Sequence, residues 1–127
     1  MADSKKYEMT VSAQTQYLED QSDPASGRYV FGYTISIRNT GNIAAQLISR
    51  HWIITDADGD VQEVRGLGVV GHQPLLQPGE AFEYSSGSAI ATPVGTMKGS
   101  YQMTAEDGCQ FEVSIPEFTL AIPRVLH

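Results

Sequence analysis

The fold is decided by the stretch Phe31-Gly32-Tyr33-Thr34-Ile35-Ser36-Ile37-Arg38. Large apolar side chains occupy its odd positions, and small or polar residues occupy its even positions. Because successive side chains of a β-strand point to opposite faces, this alternation predicts a strand with one buried face and one solvated face. The turn-forming residues at 39–42 (Asn, Thr, Gly and Asn) end it.

The same alternation returns along most of the chain. It is found at 7–13, around Phe82 and Tyr84, at 97–103 and at 109–122, where the apolar positions are predicted to face inward as far as Ile122. Residues 45–55 carry apolar side chains on both faces, which favours a central strand. The sequence therefore predicts about eight short strands and no amphipathic helix.

Turn signals separate these strands. Residues 18–28 are polar and contain Pro and Gly, which predicts a loop. Asp58-Gly59 predicts a type I′ hairpin turn, and Asp107-Gly108 predicts a second hairpin. Hairpins favour antiparallel pairing, so we predict an all-β, immunoglobulin-like or fibronectin type III-like antiparallel β-sandwich of seven to eight strands.

Length and cysteine content indicate the number of domains and exclude some cross-links and metal sites. The chain has 127 residues, which predicts a single domain over residues 1–127, with residues 1–6 flexible. Cys109 is its single cysteine, so the chain can form neither an intrachain disulfide nor a Cys₄ or Cys₂His₂ zinc site. Its place on the inward face of a predicted strand indicates a small apolar side chain rather than a reactive thiolate.

The charge balance excludes some partners. The formal net charge is −7, whereas binding to nucleic acid or to an anionic membrane requires a basic face. No apolar run has the length of a signal peptide or a membrane span, so we expect no membrane insertion and a cytoplasmic protein.

The segment Gly66-Leu67-Gly68-Val69-Val70-Gly71 has the spacing of a dinucleotide-binding fingerprint. That fingerprint requires a helix after the last glycine, whose N-terminus binds the pyrophosphate. Pro74 and Pro78 follow too closely for such a helix, so the favoured interpretation is a bend between strands.

A binding loop at this bend nevertheless stays open as an alternative. Backbone N–H groups of such a loop can hold an anion. The candidate contacts are the loop residues Gly66, Gly68, Gly71, Gln73 and Pro74, with Arg50 and Arg65 as the candidate cationic groups.

Three carboxylates at alternating positions, Asp56, Asp58 and Asp60, resemble part of a calcium loop. An EF-hand loop needs Gly at its sixth position and Glu at its twelfth, and this segment has neither. The favoured interpretation is a solvated hairpin turn, with a weak divalent-cation site as the alternative. His51, His72 and His127 do not have metal-ligand spacing, and His51 is predicted to be a packed or hydrogen-bonded side chain.

Catalytic signals are lacking. The sequence contains no G-x-S-x-G nucleophile elbow, and no nucleophile lies beside an activating base. We therefore expect no enzymatic activity and no cofactor. The aromatic residues are predicted to fill the core.

An ordered set of short motifs, covering nearly the whole chain, resembles the ApaG family of bacterial proteins. Its main members are Ser49-Arg50-His51-Trp52, the glycine segment 66–71, Gln77-Pro78-Gly79, Thr92-Pro93-Val94-Gly95-Thr96-Met97-Lys98-Gly99 and Ile115-Pro116-Glu117-Phe118. The resemblance implies a fibronectin type III-like sandwich. It also implies a link to cobalt resistance and magnesium efflux, without a settled biochemical activity.

Related domains in eukaryotic F-box proteins and in a protein that interacts with a DNA polymerase imply a module that binds other proteins. Our leading hypothesis is therefore a non-catalytic module, a monomer or weak dimer, that recognises an unidentified protein partner. The predicted contact is the loop from Gly66 to Pro78 or an exposed sheet edge that accepts a strand. Nucleotide or pyrophosphate binding and divalent-cation (Co²⁺ or Mg²⁺) binding are the alternatives.

Overall fold

The structure is a computed structural model that describes residues 6–123. Of the segment predicted to be flexible, only Lys6 lies within this range, and His127 lies outside it. Eight strands account for most of the described chain: β1 (Met9–Tyr17), β2 (Tyr29–Asn39), β3 (Ala45–Asp56), β4 (Val61–Leu67), β5 (Leu75–Leu76), β6 (Ala81–Ile90), β7 (Val94–Ala105) and β8 (Gln110–Ala121).

Two antiparallel sheets form the layers of a sandwich. One has the order β1-β2-β6 and the other has the order β4-β3-β7-β8, with β5 paired to the start of β3. This architecture confirms the predicted all-β antiparallel fold and its strand number. The predicted loop at 18–28 contains two short 3₁₀ turns, Glu19–Gln21 and Pro24–Ser26. No helix in the range 6–123 is long and apolar enough to cross a membrane.

The core lies between the sheets and is built as the alternation predicts. Phe31, Tyr33, Ile35 and Ile37 on β2 are all buried. Trp52 on β3 is buried as well, and its ring packs edge-on against Tyr33 at a centroid distance of 5.5 Å. Full burial of side chains of this size contributes roughly 1.5–3 kcal/mol each. Ile122 differs from the prediction, because the strand ends at Ala121 and the side chain is exposed.

The β3–β4 connection corrects the predicted type I′ turn. Of Asp58 and Gly59, only Gly59 has a positive φ (86°). Its N–H donates to the Asp56 carbonyl (3.1 Å), while the Asp56 N–H donates to the Asp60 carbonyl (3.0 Å). This is a three-residue loop in which a type I turn precedes a left-handed glycine. The loop is longer than predicted because the Asp56 carboxylate accepts the N–H groups of Asp58 and Asp60 and stabilises the wider turn.

Strand β3 lies between β4 and β7, which confirms the prediction of a central strand. Its pairing with β7 shifts register between Leu47 and Ser49. Beyond that shift Trp52 and Ile54 face the core, and the two-residue period places Arg50 on the same face. Strand β4 has β3 on one side and is the edge of this sheet.

Candidate functional site

The glycine segment contains the end of β4 and a tight chain reversal. Val69 and His72 exchange two backbone hydrogen bonds, of 2.7 and 2.9 Å. The two residues between them, Val70 and Gly71, have φ values of 48° and 81°. Positive φ at both central residues is the requirement of a type I′ hairpin turn. The predicted bend is confirmed, and after His72 the chain continues to the short strand β5 rather than into a helix.

Arg50 is placed beside this segment, as the sequence suggests, but it contacts backbone carbonyls. Its Nη1 donates to the carbonyls of Leu67 (3.1 Å) and Gly68 (2.9 Å). The guanidinium lies over Gly66, so closely that a Cβ built there would be 2.7 Å from Nη1. Arg50 thus holds the end of β4 against β3. Its bonds to two carbonyl oxygens leave less of the guanidinium for an anion.

Gln73 and Pro74, the other predicted loop contacts, are also used internally. Gln73 donates from Nε2 to the carbonyl of Ile48 (2.9 Å). The Pro74 carbonyl accepts the N–H of Leu47 (3.0 Å). Both contacts bind the segment after the turn to β3, so these residues position the loop.

The outer face of β3 and β4 carries a mixed-charge group. His51 Nε2 and Glu63 Oε1 are 2.8 Å apart, and Arg65 Nη2 lies 3.5 Å from the same oxygen. The hydrogen bond with His51, supported by the nearby Arg65 guanidinium, lowers the pKa of the Glu63 carboxyl. A shallow depression of about 540 Å³ here is lined by Arg50 and Arg65 but also by Glu112. The carboxylates of Glu63 and Glu112 lie on the same face as Arg65 and weaken its attraction for an anion.

The predicted carboxylate site is a capped turn. Asp56 Oδ1 accepts the backbone N–H groups of Asp58 (2.9 Å) and Asp60 (3.0 Å). Within residues 6–123 no group of three or more His, Cys, Asp or Glu side chains could hold a metal ion. His51 pairs with Glu63, as expected for a hydrogen-bonded side chain, and His72 packs against the Phe82 ring at 5.8 Å.

Exposed apolar side chains lie along β4 and just after it. The sequence predicted an exposed sheet edge but did not indicate which strand forms it. Leu67 is 75% exposed, and Val61 and Val70 are each 57% exposed. Of the seven exposed large hydrophobic side chains of the described residues, five lie on β4, in the turn after it and on β5, and we call these five the edge patch: Val61, Val64, Leu67, Val70 and Leu75. Apolar residues at 61, 64, 67 and 70 recur every third position, which cannot place them on one face of a strand. This three-residue spacing was the signal in the sequence that apolar side chains would lie on both faces of β4.

The backbone of β4 is open along the same side. The Asp56 N–H bonds to the Asp60 carbonyl, and the Gly68 N–H bonds to the Ile48 carbonyl. In an antiparallel ladder every second residue bonds to the neighbouring strand, so these two bonds direct the even-numbered residues of β4 towards β3. The odd-numbered residues point their N–H and C=O groups away from β3, and of these the Leu67 carbonyl also accepts Arg50 Nη1. We call Val61, Glu63, Arg65 and Leu67 the open edge.

A family model, curated relatives and a solved structure all show similarity of this chain to one protein family. Residues 19–105 match the ApaG domain. Protein ApaG of Thiobacillus denitrificans is 70% identical over all 127 residues of both chains, and Protein ApaG of Nitrosospira multiformis is 65% identical over the same span. The crystal structure of the putative ApaA protein from Bordetella pertussis has a TM-score of 0.92 and 60% identity, over 95% of this chain and 98% of that one.

Proposed function

The chain belongs to the ApaG family, and we propose that it is a protein-recognition module that accepts an extended segment of its partner at β4. The observation that carries this proposal is that the open edge lies on the same strand as three members of the edge patch, Val61, Val64 and Leu67. Adding a strand to a sheet edge supplies main-chain hydrogen bonds, and apolar side chains on both faces supply contact area and specificity. Both are available at β4.

Two of the other sheet edges, β6 and β8, are less suited to this role. Natural sheets protect their edges with proline, charge and bulges. Strand β8 carries Pro116 where its pairing with β7 shifts register. Strand β6 presents Ser85, Ser86, Gly87 and Ser88, which have small or polar side chains. Strand β4 has neither a proline nor a bulge in its pairing with β3, and it carries three of the seven exposed large apolar side chains of the described residues, more than any other strand.

The proposal includes no catalytic step and no cofactor. Nucleotide binding at Gly66, Gly68 and Gly71 stays a prediction. The turn is followed by β5, so it provides no helix N-terminus to bind a phosphate. Divalent-cation binding at Asp56, Asp58 and Asp60 also stays a prediction, and the capped turn lends it no ligand cluster. Under this proposal, a cytoplasmic partner that itself handles the metal would account for the link to cobalt and magnesium that the family resemblance implies.

The test is capture from an extract of the cells that produce the chain. The immobilised wild type is compared with Leu67→Lys, which places a charge in the edge patch. The matched control is Val94→Lys, another exposed apolar residue, which pairs with Ala121 of β8. Bound proteins are identified by mass spectrometry, and copies of the chain itself are counted separately. We expect at least one protein that wild type and Val94→Lys retain and Leu67→Lys loses.

Hydrogen exchange then locates the contact. The captured protein, once purified, is expected to slow exchange at the amides of the open edge and to leave β8 unchanged. Equal retention by all three baits, or unchanged exchange at the open edge in the complex, contradicts the proposal.

A further inference from the structure

Strand β4 has a self-complementary sequence, Val61-Gln62-Glu63-Val64-Arg65-Gly66-Leu67. Reflected about Val64, the acidic Glu63 falls on the basic Arg65, and the apolar Val61 falls on the apolar Leu67. We propose that a second copy of this chain binds the open edge, with the two β4 strands antiparallel and Val64 on the two-fold axis. This inference rests on the proposed function, because it uses the same edge.

The backbone of the open edge fits this arrangement. Antiparallel pairing about Val64 places Val61 opposite Leu67 of the other copy and Glu63 opposite Arg65. All four residues are odd-numbered, so their N–H and C=O groups point to the open side, where the Leu67 carbonyl also accepts the Arg50 guanidinium. Four hydrogen-bonded pairs with two bonds each give at most about eight backbone hydrogen bonds, and in two of them the Leu67 carbonyl would be shared with Arg50. The sheet then continues from one copy into the other.

Charge selects this register over its neighbours. Only shifts by two residues keep the hydrogen-bonding groups facing each other. Moving the axis to residue 63 places two Glu63 side chains directly opposite, and moving it to residue 65 does the same with two Arg65 side chains. Like charges directly opposite are unfavourable in a sheet, whereas opposite charges are favourable. The axis at Val64 gives two Glu–Arg pairs and no like pair.

Three of the exposed apolar side chains of the edge patch, those on β4, are also covered. Val64 pairs with the buried Trp52, so it lies on the core face of its sheet. In the dimer the two Val64 side chains meet at a position outside the hydrogen-bonded pairs, where side chains approach most closely. On the opposite face, Leu67 of each copy covers Val61 of the other. The Val64 contact would extend the dry interior across the axis.

The antiparallel arrangement also separates the acidic turns. Asp56, Asp58 and Asp60 stand at one end of β4, and the two-fold axis sends the second copy's turn to the opposite end. This separation matters for a chain of net charge −7. Two seven-residue strands make a small interface, so the dimer is expected to be weak and concentration-dependent.

Sedimentation velocity over a dilution series tests the pairing. Glu63→Arg places Arg opposite Arg, and Arg65→Glu places Glu opposite Glu. Both residues are well exposed (54% and 73%), so both variants should keep the fold, which circular dichroism verifies. Each variant alone is expected to dimerise at least about tenfold more weakly than wild type, since two attractive pairs become repulsive.

The decisive experiment is rescue of dimerisation by reversing both charges. The double variant E63R/R65E restores opposite charges at both pairs and is expected to dimerise as wild type does. A mixture of the two single variants is expected to form a heterodimer, because one copy then carries arginine at both positions 63 and 65 and the other carries glutamate at both. A purely structural role of either residue would not produce this pattern.

The contradicting results are separable from failure of the proposed function. A wild type that stays monomeric at about 1 mM, where even weak interfaces associate, overturns the inference. Single variants that dimerise as well as wild type, or a double variant without rescue, do the same. If in any of these cases another protein protects the open-edge amides, the proposed function stands and only self-pairing fails. If no bound protein protects them and self-pairing is absent, both fail.

Discussion

Val70 has a β-branched side chain on a backbone with a φ of +48°, in the left-handed region. For an L-residue this conformation costs roughly 1–2 kcal/mol, and branching at Cβ makes it rarer still. Asparagine tolerates the region far better. We expect Val70→Asn to raise the free energy of unfolding by about 1 kcal/mol, measured by urea denaturation.

Val94→Asn is the matched control for this prediction. Val94 is also an exposed valine, and its φ is not positive. The control should therefore show no gain, and equal changes in the two variants would contradict the explanation. A strained valine that side-chain packing does not require suggests a role outside the monomer. We accordingly expect Val70→Asn to weaken partner capture while it stabilises the chain.

At the scale of elements, the contact between β3 and β7 depends on Gly99. It pairs with Trp52, and a Cβ built on it would overlap the carbonyl oxygen of His51. A backbone carbonyl in a central strand cannot move aside as a flexible side chain can. Gly99→Ala is therefore expected to lower the free energy of unfolding by about 3 kcal/mol, measured by urea denaturation.

Lys98→Ala serves as the neighbouring control, since Lys98 is exposed. Its effect should stay within about 0.5 kcal/mol. A Gly99→Ala chain as stable as wild type would show that the two strands can separate locally without loss, which is contrary to the close approach described above.

At the scale of the whole molecule, a hydrogen bond between two buried tyrosine side chains joins the two sheets through the core. The hydroxyls of Tyr84 on β6 and Tyr101 on β7 are 2.6 Å apart, and both residues are buried. Tyr84→Phe leaves the Tyr101 hydroxyl without this partner, which should cost about 1–3 kcal/mol. Because the double variant Y84F/Y101F removes both groups, we expect it to lose less stability than the sum of the single variants. A double-mutant cycle in urea measures the difference, and strict additivity would contradict the pairing.

The same tyrosine pair is expected to lower the free energy of unfolding at alkaline pH. Burial raises the pKa of Tyr84 to about 12 and also raises the pKa of Tyr101. A folded pKa above the ordinary value of 10.0 means that this contribution is fully present below pH 10 and is lost as the pH rises towards the folded pKa. The free energy of unfolding of Y84F/Y101F should fall less steeply above pH 10 than that of wild type.

Much of the fold could be predicted from the sequence because the signals are local. The alternation at 31–38 follows from the two-residue period of a strand, and the buried side chains of β2 confirm it. The apolar faces of 45–55 likewise predicted a central strand. Turn length was less predictable: Asp58-Gly59 fits several hairpin loops, and the Asp56 carboxylate, two residues away, selects the three-residue form.

The candidate site depended on tertiary structure. The sequence placed Arg50 among the residues to examine near Gly66, but only the folded chain shows its guanidinium bonded to two carbonyls at the end of β4. Spacing alone likewise could not distinguish a phosphate loop from a type I′ turn. The physical reason is that burial and strand order are properties of the assembled sheets. The sequence at 61–67 predicts only a strand. This strand is an open edge because no strand of the described chain pairs with the side of β4 that faces away from β3.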